Sequence, residues 1–263
     1  ISLPKGVSLI EVRLEENISK GASLKSIELV EKESRNAIKE RVKEYRASTK
    51  WLADAKFGVF LQWGGWSYPR QGDKKPWPEM INDFDVESFA DKIASTKAGY
   101  VMWSATWRNY LFPAPIKAID EVVPGRTSER DLIGELADAL AKRNLKLILY
   151  YHVGHETDPT FSDWWSANWK DWDNKENFFK IYENVIKEVG ERYGEKLAGL
   201  FIDDNLIIYP ADYEKLGEIA KAGNPNRIVS YNEWIAPRQT DFQEVFFGEA
   251  FQWRYDLPVG GSG

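Results

Sequence analysis

A chain of 263 residues, 43% hydrophobic and 29% charged, is long enough for one large α/β domain or two small ones. Its formal charge of −6 excludes the basic footprint that nucleic-acid binding needs, and no apolar run is long enough to span a bilayer, so neither a nucleic acid nor a membrane is an expected partner. The absence of cysteine excludes a disulfide, a thiolate nucleophile and a cysteine-based metal site.

The chain opens at Ile1 rather than Met, which reads as a processed or trimmed start. Val7–Leu14 and Leu24–Val30 alternate loosely between apolar and polar residues, which predicts two strands of a separate N-terminal β segment over residues 1–31. Residues 32–55 read as a linking helix, with Ile38, Val42 and Tyr45 at core spacing.

From Lys56 strands and helices alternate. Phe57–Trp63 is the first strand, followed by Gly64, Gly65, Trp66 and a Pro-rich loop to Phe84. Asp85 caps a helix through Phe89, Ile93 and Ala94 that Gly99 stops. Tyr100–Thr106 is the second strand. Ser128, with an acid three residues on at Asp131, reads as a capping box before a helix that turns Leu132, Ile133, Leu136 and Leu140 inward. A third strand over Leu145–Val153 and a long helix over Asn174–Tyr193 come next. The fourth strand, Leu197–Ile202, is followed by a helix over Asp212–Ala222 and a fifth strand over Arg227–Asn232. Glu244–Glu249 is read as a sixth strand.

This alternation specifies a parallel sheet with right-handed crossovers. The expected class is α/β, a (β/α)8 TIM-barrel-like domain over residues 56–258. A closed barrel takes eight units and about 250 residues, and about six are counted here, so the barrel is expected to be incomplete towards its C-terminus. Val259–Gly263 has linker composition, which adds the expectation of an engineered or truncated chain.

The chemistry centres on the fourth strand, an unbroken apolar run that stops on Asp203 and Asp204. Acids at the carboxyl ends of such strands sit where α/β folds place their ligand crevices, although Asp also opens ordinary loops. Twelve Trp stand beside only two His, and the cluster from Trp164 to Trp172 is dense and interrupted by polar residues. Core packing accounts for some of them, and flat aromatic surface of this kind suits stacking on a sugar or another flat ligand. Trp63, Trp66, Trp103 and Trp107 are expected to line one rim by their strand-end positions, with Arg108 placed to clamp an anionic group or to pair with an acid. His152 and His155 leave the third strand with Glu156. Without a firm third ligand they read as substrate hydrogen-bonders or packed polar groups rather than a metal pair, and no cofactor is expected.

The run Trp51–Gly64, with Lys56-Phe57-Gly58-Val59-Phe60-Leu61-Gln62-Trp63-Gly64 at its end, resembles the opening barrel strand of the α-L-fucosidases of glycoside hydrolase family 29. The similarity continues through Arg130–Leu136, Lys146–Tyr151 and Phe201-Ile202-Asp203, and covers roughly Trp51 to Glu249. The resemblance implies a barrel, a terminal sugar as substrate, Asp203 as nucleophile, and a secreted or periplasmic setting. Gln62 stands where the family has a sugar-binding His, Trp107-Arg108 where it has a tandem His, and Asp203-Asp204 where it has Asp-Gly.

A retaining glycosidase needs a second carboxyl about 5–5.5 Å from its nucleophile, as proton donor. Glu249 is the first choice and Glu233 the second, with Trp234 as an apolar neighbour; Asp204 is the alternative reactive group. Three readings compete: a retaining exo-glycosidase acting on fucose or an acidic sugar, a binding relative without turnover, and an engineered barrel with another ligand. An oligosaccharide or glycoside is the expected partner, and the oligomeric state is not legible.

Overall fold

The computed structural model describes residues 32–65, 67, 72–106, 110–152, 175–203, 208, 211–232 and 240–246. The predicted N-terminal β segment and the linker-like tail lie outside these residues. One compact unit runs from Val42 onward. The helix expected over 32–55 is two helices, α1 (Lys32–Tyr45) and α2 (Lys50–Ala55). Beyond them follow β1 (Gly58–Leu61), α3 (Trp77–Asn82), α4 (Val86–Ser95), β2 (Tyr100–Thr106), α5 (Lys117–Asp120) and α6 (Leu132–Ala141). β3 (Lys146–Tyr151), α7 (Glu176–Tyr193), β4 (Leu197–Ile202), α8 (Tyr213–Ala220) and β5 (Ile228–Tyr231) complete the series. The short helix α3 falls in the stretch read as a Pro-rich loop, and α5 lies between the second strand and Ser128, where no element is predicted.

Among the described residues the strands form one parallel sheet in the order β1-β2-β3-β4-β5, so each crossover joins neighbours. Period-two alternation gives the sheet two faces. On one, Val101, Trp103, Ala105, Leu147, Leu149, Leu200 and Val229 join the apolar sides of α4, α6, α7 and α8 in the main core. On the other, Met102, Ile148, Tyr150, Phe201 and Ile228 form a second, smaller cluster, with Trp51, Leu52 and Val245 packed against it. Gly199 belongs to this inner face. A Cβ there would lie 2.8 Å from Ile228 and 3.1 Å from Ile148, so the flanking isoleucines already fill the layer.

The helix starts follow side-chain chemistry. The Asp85 carboxylate accepts the Ser88 N–H at 2.9 Å, and Asp212 does the same for Lys215. At α6 the cap is Asp131, which accepts the Gly134 N–H at 2.8 Å, and not Ser128 as the capping-box spacing suggests. The Ser128 hydroxyl donates to the Arg130 carbonyl instead, a local turn that competes with capping.

The expected sixth strand is not formed over its described part, residues 244–246, and the rest of it lies outside. Side chains close the outer edge of β5 there. Glu244 accepts the Val229 N–H at 2.7 Å while its own N–H donates to the Val229 carbonyl, and Gln243 accepts the Tyr231 N–H at 3.1 Å. At the foot of β5 the buried Arg227 guanidinium donates to the carbonyls of Gly190, Gly194, Leu197, Ala220 and Ala222. It draws together the ends of α7 and α8 and the start of β4. Burial pulls its pKa down to about 10, which still leaves it protonated at neutral pH.

Candidate active site

Register decides which side chains share the inner face. Ser104 pairs with Tyr150, Tyr150 with Phe201, and Phe201 with Ser230, so these four form one layer across β2 to β5. The ladder continues just past the strand ends: the Asp203 N–H donates to the Tyr151 carbonyl and the Asn232 N–H to the Ile202 carbonyl, both at 2.9 Å. Two residues beyond the Tyr150 layer, the same alternation brings His152, Asp203 and Asn232 to the inner face.

Asp203 is the centre of this upper layer. The residue is 8% exposed, and both carboxylate oxygens are held. The Asn232 amide donates to Oδ1 at 2.6 Å, and the Tyr150 hydroxyl donates to Oδ2. The two contacts orient the carboxylate at the end of β4. Tyr150 also packs its ring 5.6 Å from that of Phe201 and 5.1 Å from that of Phe60. Phe60 is 49% exposed, an open apolar surface beside the hydroxyl that holds Asp203.

His152 is buried, with its ring 6.3 Å from that of Tyr150. Its backbone is fixed by a register irregularity between Ser104 and Thr106, beyond which the Thr106 side chain replaces a ladder partner. The Thr106 hydroxyl accepts the His152 N–H at 3.1 Å and donates to the His152 carbonyl. Ser104 does the same for β1: its Oγ accepts the Trp63 N–H at 2.6 Å and donates to the Trp63 carbonyl at 2.7 Å. The ends of the first three strands are thus stitched together by two hydroxyls. Gln62, at the end of β1, is exposed.

Two of the expected rim residues are elsewhere. Trp103 is 1% exposed and lies in the helix-side core, stacked on Trp63 at 5.5 Å with Phe84 and Phe89 on edge to it. Trp63 shares that side. Parity is the reason: Trp63 and Trp103 are each one residue out of phase with the inward positions Gln62 and Ser104, and a strand turns such neighbours to opposite faces. Trp66, Trp107, Arg108, His155, Asp204, Glu233, Trp234 and Glu249 lie outside the described residues. Among the described residues no three acidic or imidazole groups gather as metal ligands do.

Tyr150, Asn232, Thr106 and Phe60 were not singled out as site residues from the sequence. Counting inward positions in steps of two from Asp203, Gln62 and His152 finds Tyr150 and Phe60, while Asn232 and Thr106 depend on register between strands.

A carboxylate held at the carboxyl end of an interior strand of a parallel α/β sheet sits where barrel enzymes carry their active sites. The family model of alpha-L-fucosidase matches residues 80–249, well over half of the chain, and the chain belongs to that family. Tissue alpha-L-fucosidase of Bos taurus is 29% identical over 138 aligned positions, covering 39% of this chain and 29% of the relative. The Homo sapiens protein matches to the same extent. This chain thus corresponds to under a third of the length of those relatives. Among solved structures, alpha-L-fucosidase AlfC from Lactobacillus casei with its alpha-L-fucose product superposes with a TM-score of 0.52 at 19% identity, covering 69% of each chain. An endo-fucoidan hydrolase of glycoside hydrolase family 107 gives a TM-score of 0.56 at 17% identity, covering 73% of this chain and 35% of that one. At such identities the likeness is one of fold.

Proposed function

We propose that this chain carries the catalytic centre of a retaining exo-glycosidase acting on a terminal sugar, L-fucose or an acidic analogue, with Asp203 as nucleophile. The observation that carries the reading is the double hold on Asp203 by Tyr150 and Asn232 at the end of β4, inside the span matched by the family model.

In the first step an Asp203 oxygen attacks the anomeric carbon. The bond to the leaving oxygen breaks, and a protonated carboxyl gives that oxygen its proton. Glu249 is assigned that proton and Glu233 is the second choice. In the second step the same carboxylate takes a proton from water, the water oxygen bonds to the anomeric carbon, and Asp203 is released. Tyr150 and Asn232 fix the attack direction, which is worth more to the rate than to binding. Phe60 offers an apolar face to the ring, and Gln62 offers an amide, donor and acceptor together, where the family has an imidazole. Asp204 is the alternative nucleophile.

The test is release of nitrophenol from 4-nitrophenyl α-L-fucoside and from the corresponding uronoside, by the parent and by Asp203→Ala. Loss of at least about a thousandfold in kcat is expected from removing a covalent nucleophile. A slow fluorinated glycoside should label Asp203, read by peptide mass. Turnover that survives Asp203→Ala, or a label on Asp204, overturns the assignment. Sugar binding with no turnover in the parent returns the chain to the binding-relative reading.

A further inference from the structure

The proposed reaction leaves Thr106 and His152 unused, although both are buried beside Asp203's holder. Thr106 is the last residue of β2, and its pairing with Tyr151 follows a break in register. Such irregularities re-aim a side chain that a regular ladder would point elsewhere. The side chain placed here is a hydroxyl, and it binds one residue twice. It accepts the His152 N–H at 3.1 Å and donates to the His152 carbonyl. Tyr151 is the last β3 residue paired to β2, so these two bonds carry the ladder one residue past its end. Threonine is stiff about χ1, which leaves the hydroxyl little freedom to drift.

The residue held this way carries a ring against Tyr150. Among the described residues three rings pack on the Tyr150 phenol: Phe60 at 5.1 Å, Phe201 at 5.6 Å and His152 at 6.3 Å between centres. All three distances lie in the range of aromatic pairs. The three supports are not equally firm. Phe60 is 49% exposed, whereas Phe201 is fixed opposite Tyr150 by the ladder. His152 is 1% exposed, and its backbone is tied to β2 by Thr106. The Tyr150 hydroxyl donates in turn to Oδ2 of Asp203. A continuous series of contacts therefore runs from the β2 irregularity to the carboxylate. The Ser104 clamp is built the same way but holds Trp63, whose ring packs on the helix side.

We propose that Thr106 and His152 are positioning residues for the glycosidase reaction. Thr106 fixes the His152 ring, and that ring keeps the Tyr150 phenol aimed at Asp203. The inference rests on the reading of Asp203 as nucleophile. Neither side chain is assigned a contact with the sugar, so their removal acts on kcat and leaves KM nearly alone.

The experiment measures kcat and KM on 4-nitrophenyl α-L-fucoside for the whole chain and for Thr106→Val, Thr106→Ser, His152→Ala and His152→Phe, each checked by a thermal melt. The Asp203 carboxyl carbon is followed by NMR in the same proteins, using labelled aspartate and assigned by its loss in Asp203→Asn. Thr106→Val keeps the shape and removes the hydroxyl; a fall of about tenfold in kcat is expected, because the Tyr150 bond is loosened and not removed. Thr106→Ser keeps the hydroxyl and should restore kcat to within about threefold of the parent. His152→Ala should fall like Thr106→Val, and His152→Phe, which keeps a ring against Tyr150, should recover. The Asp203 carbon should move in Thr106→Val and His152→Ala and stay near its parent position in the other two. On a Tyr150→Phe background, Thr106→Val should cost less than about twofold more. A folded Thr106→Val with an unmoved Asp203 carbon or an unchanged kcat overturns the proposal, as does a full loss on the Tyr150→Phe background. His152→Phe as poor as His152→Ala also overturns it, and this pair decides the matter if Thr106→Val does not fold. A parent without turnover overturns the catalytic reading instead, and an Asp203 carbon that still moves with Thr106→Val then supports the hold on the carboxylate.

Discussion

Asn232→Ala isolates the contact that most directly shapes the proposed reaction. The Asn232 amide lies 2.6 Å from Oδ1 of Asp203, with the two residues 3% and 8% exposed, so water does not replace the lost donor freely. A hydrogen bond to a charged group contributes about 1.5–3 kcal/mol. At about 1.4 kcal/mol per tenfold, that becomes a fall of about 10- to 150-fold in kcat/KM. The fall should appear in kcat with KM nearly unchanged, because the amide touches the nucleophile and not the sugar. Tyr150→Phe removes the hydroxyl on Oδ2 and should act similarly. The double variant should lose less than the product of the two, since a carboxylate freed on one side is already misaligned. The assay is nitrophenol release over a range of 4-nitrophenyl α-L-fucoside concentrations, with a thermal melt to show that each variant is folded. A folded Asn232→Ala protein with kcat/KM within about twofold of the parent, beside an inactive Asp203→Ala, would refute a positioning role for this contact.

Arg227→Met should lower the unfolding free energy by about 3 kcal/mol or more, since at least two buried carbonyls lose their donor at about 1–3 kcal/mol each; urea denaturation measures it, and a loss under about 1 kcal/mol contradicts the clamp. Burial raises the pKa of Tyr45, Tyr110, Tyr151, Tyr193 and Tyr231 above the ordinary 10.0. The unfolded chain therefore releases these protons first, so stability is unaffected below pH 10 from this source and falls as pH rises beyond it. Tyrosinate absorbance should develop in two stages, the second coinciding with loss of the circular dichroism signal; a single early stage would show those hydroxyls to be accessible.

Much of the fold is written locally. Tyr100–Thr106 is a strand in sequence and structure alike, because Gly99 and the apolar run bound it on their own. Asp85 is legible as a cap, since an acid before an amphipathic helix has one economical use. The site is less legible because residue type and strand-end position do not state a face. Trp63 and Trp103 look like rim residues by type, and a shift of one residue puts them in the helix-side core instead. The Asn232–Asp203 pair depends on the register Ile202↔Tyr231 between strands, which nothing within either strand encodes. The irregularity that brings Thr106 to His152 is a backbone event with no side-chain signature in the run itself.

That register must be held from somewhere, and the outer edge of β5 is where a parallel sheet has least to hold it. A free edge leaves alternate N–H groups unpaired, and a strand so exposed can slip. Here Glu244 and Gln243 occupy the outward N–H groups of Val229 and Tyr231, two positions apart as the pleat requires. Glu244 is itself anchored by the Lys221 ammonium and the Ala47 N–H, and Lys221 also donates to the Tyr45 carbonyl while lying 3.8 Å from the Tyr45 ring centre. A slip of one residue would strand a buried carboxylate and a buried ammonium, each of which costs several kcal/mol when uncompensated. It would also turn Asn232, the next residue along, to the helix side and away from Asp203. Charges that look like a structural latch at the sheet's edge therefore decide which face the Asp203 partner occupies.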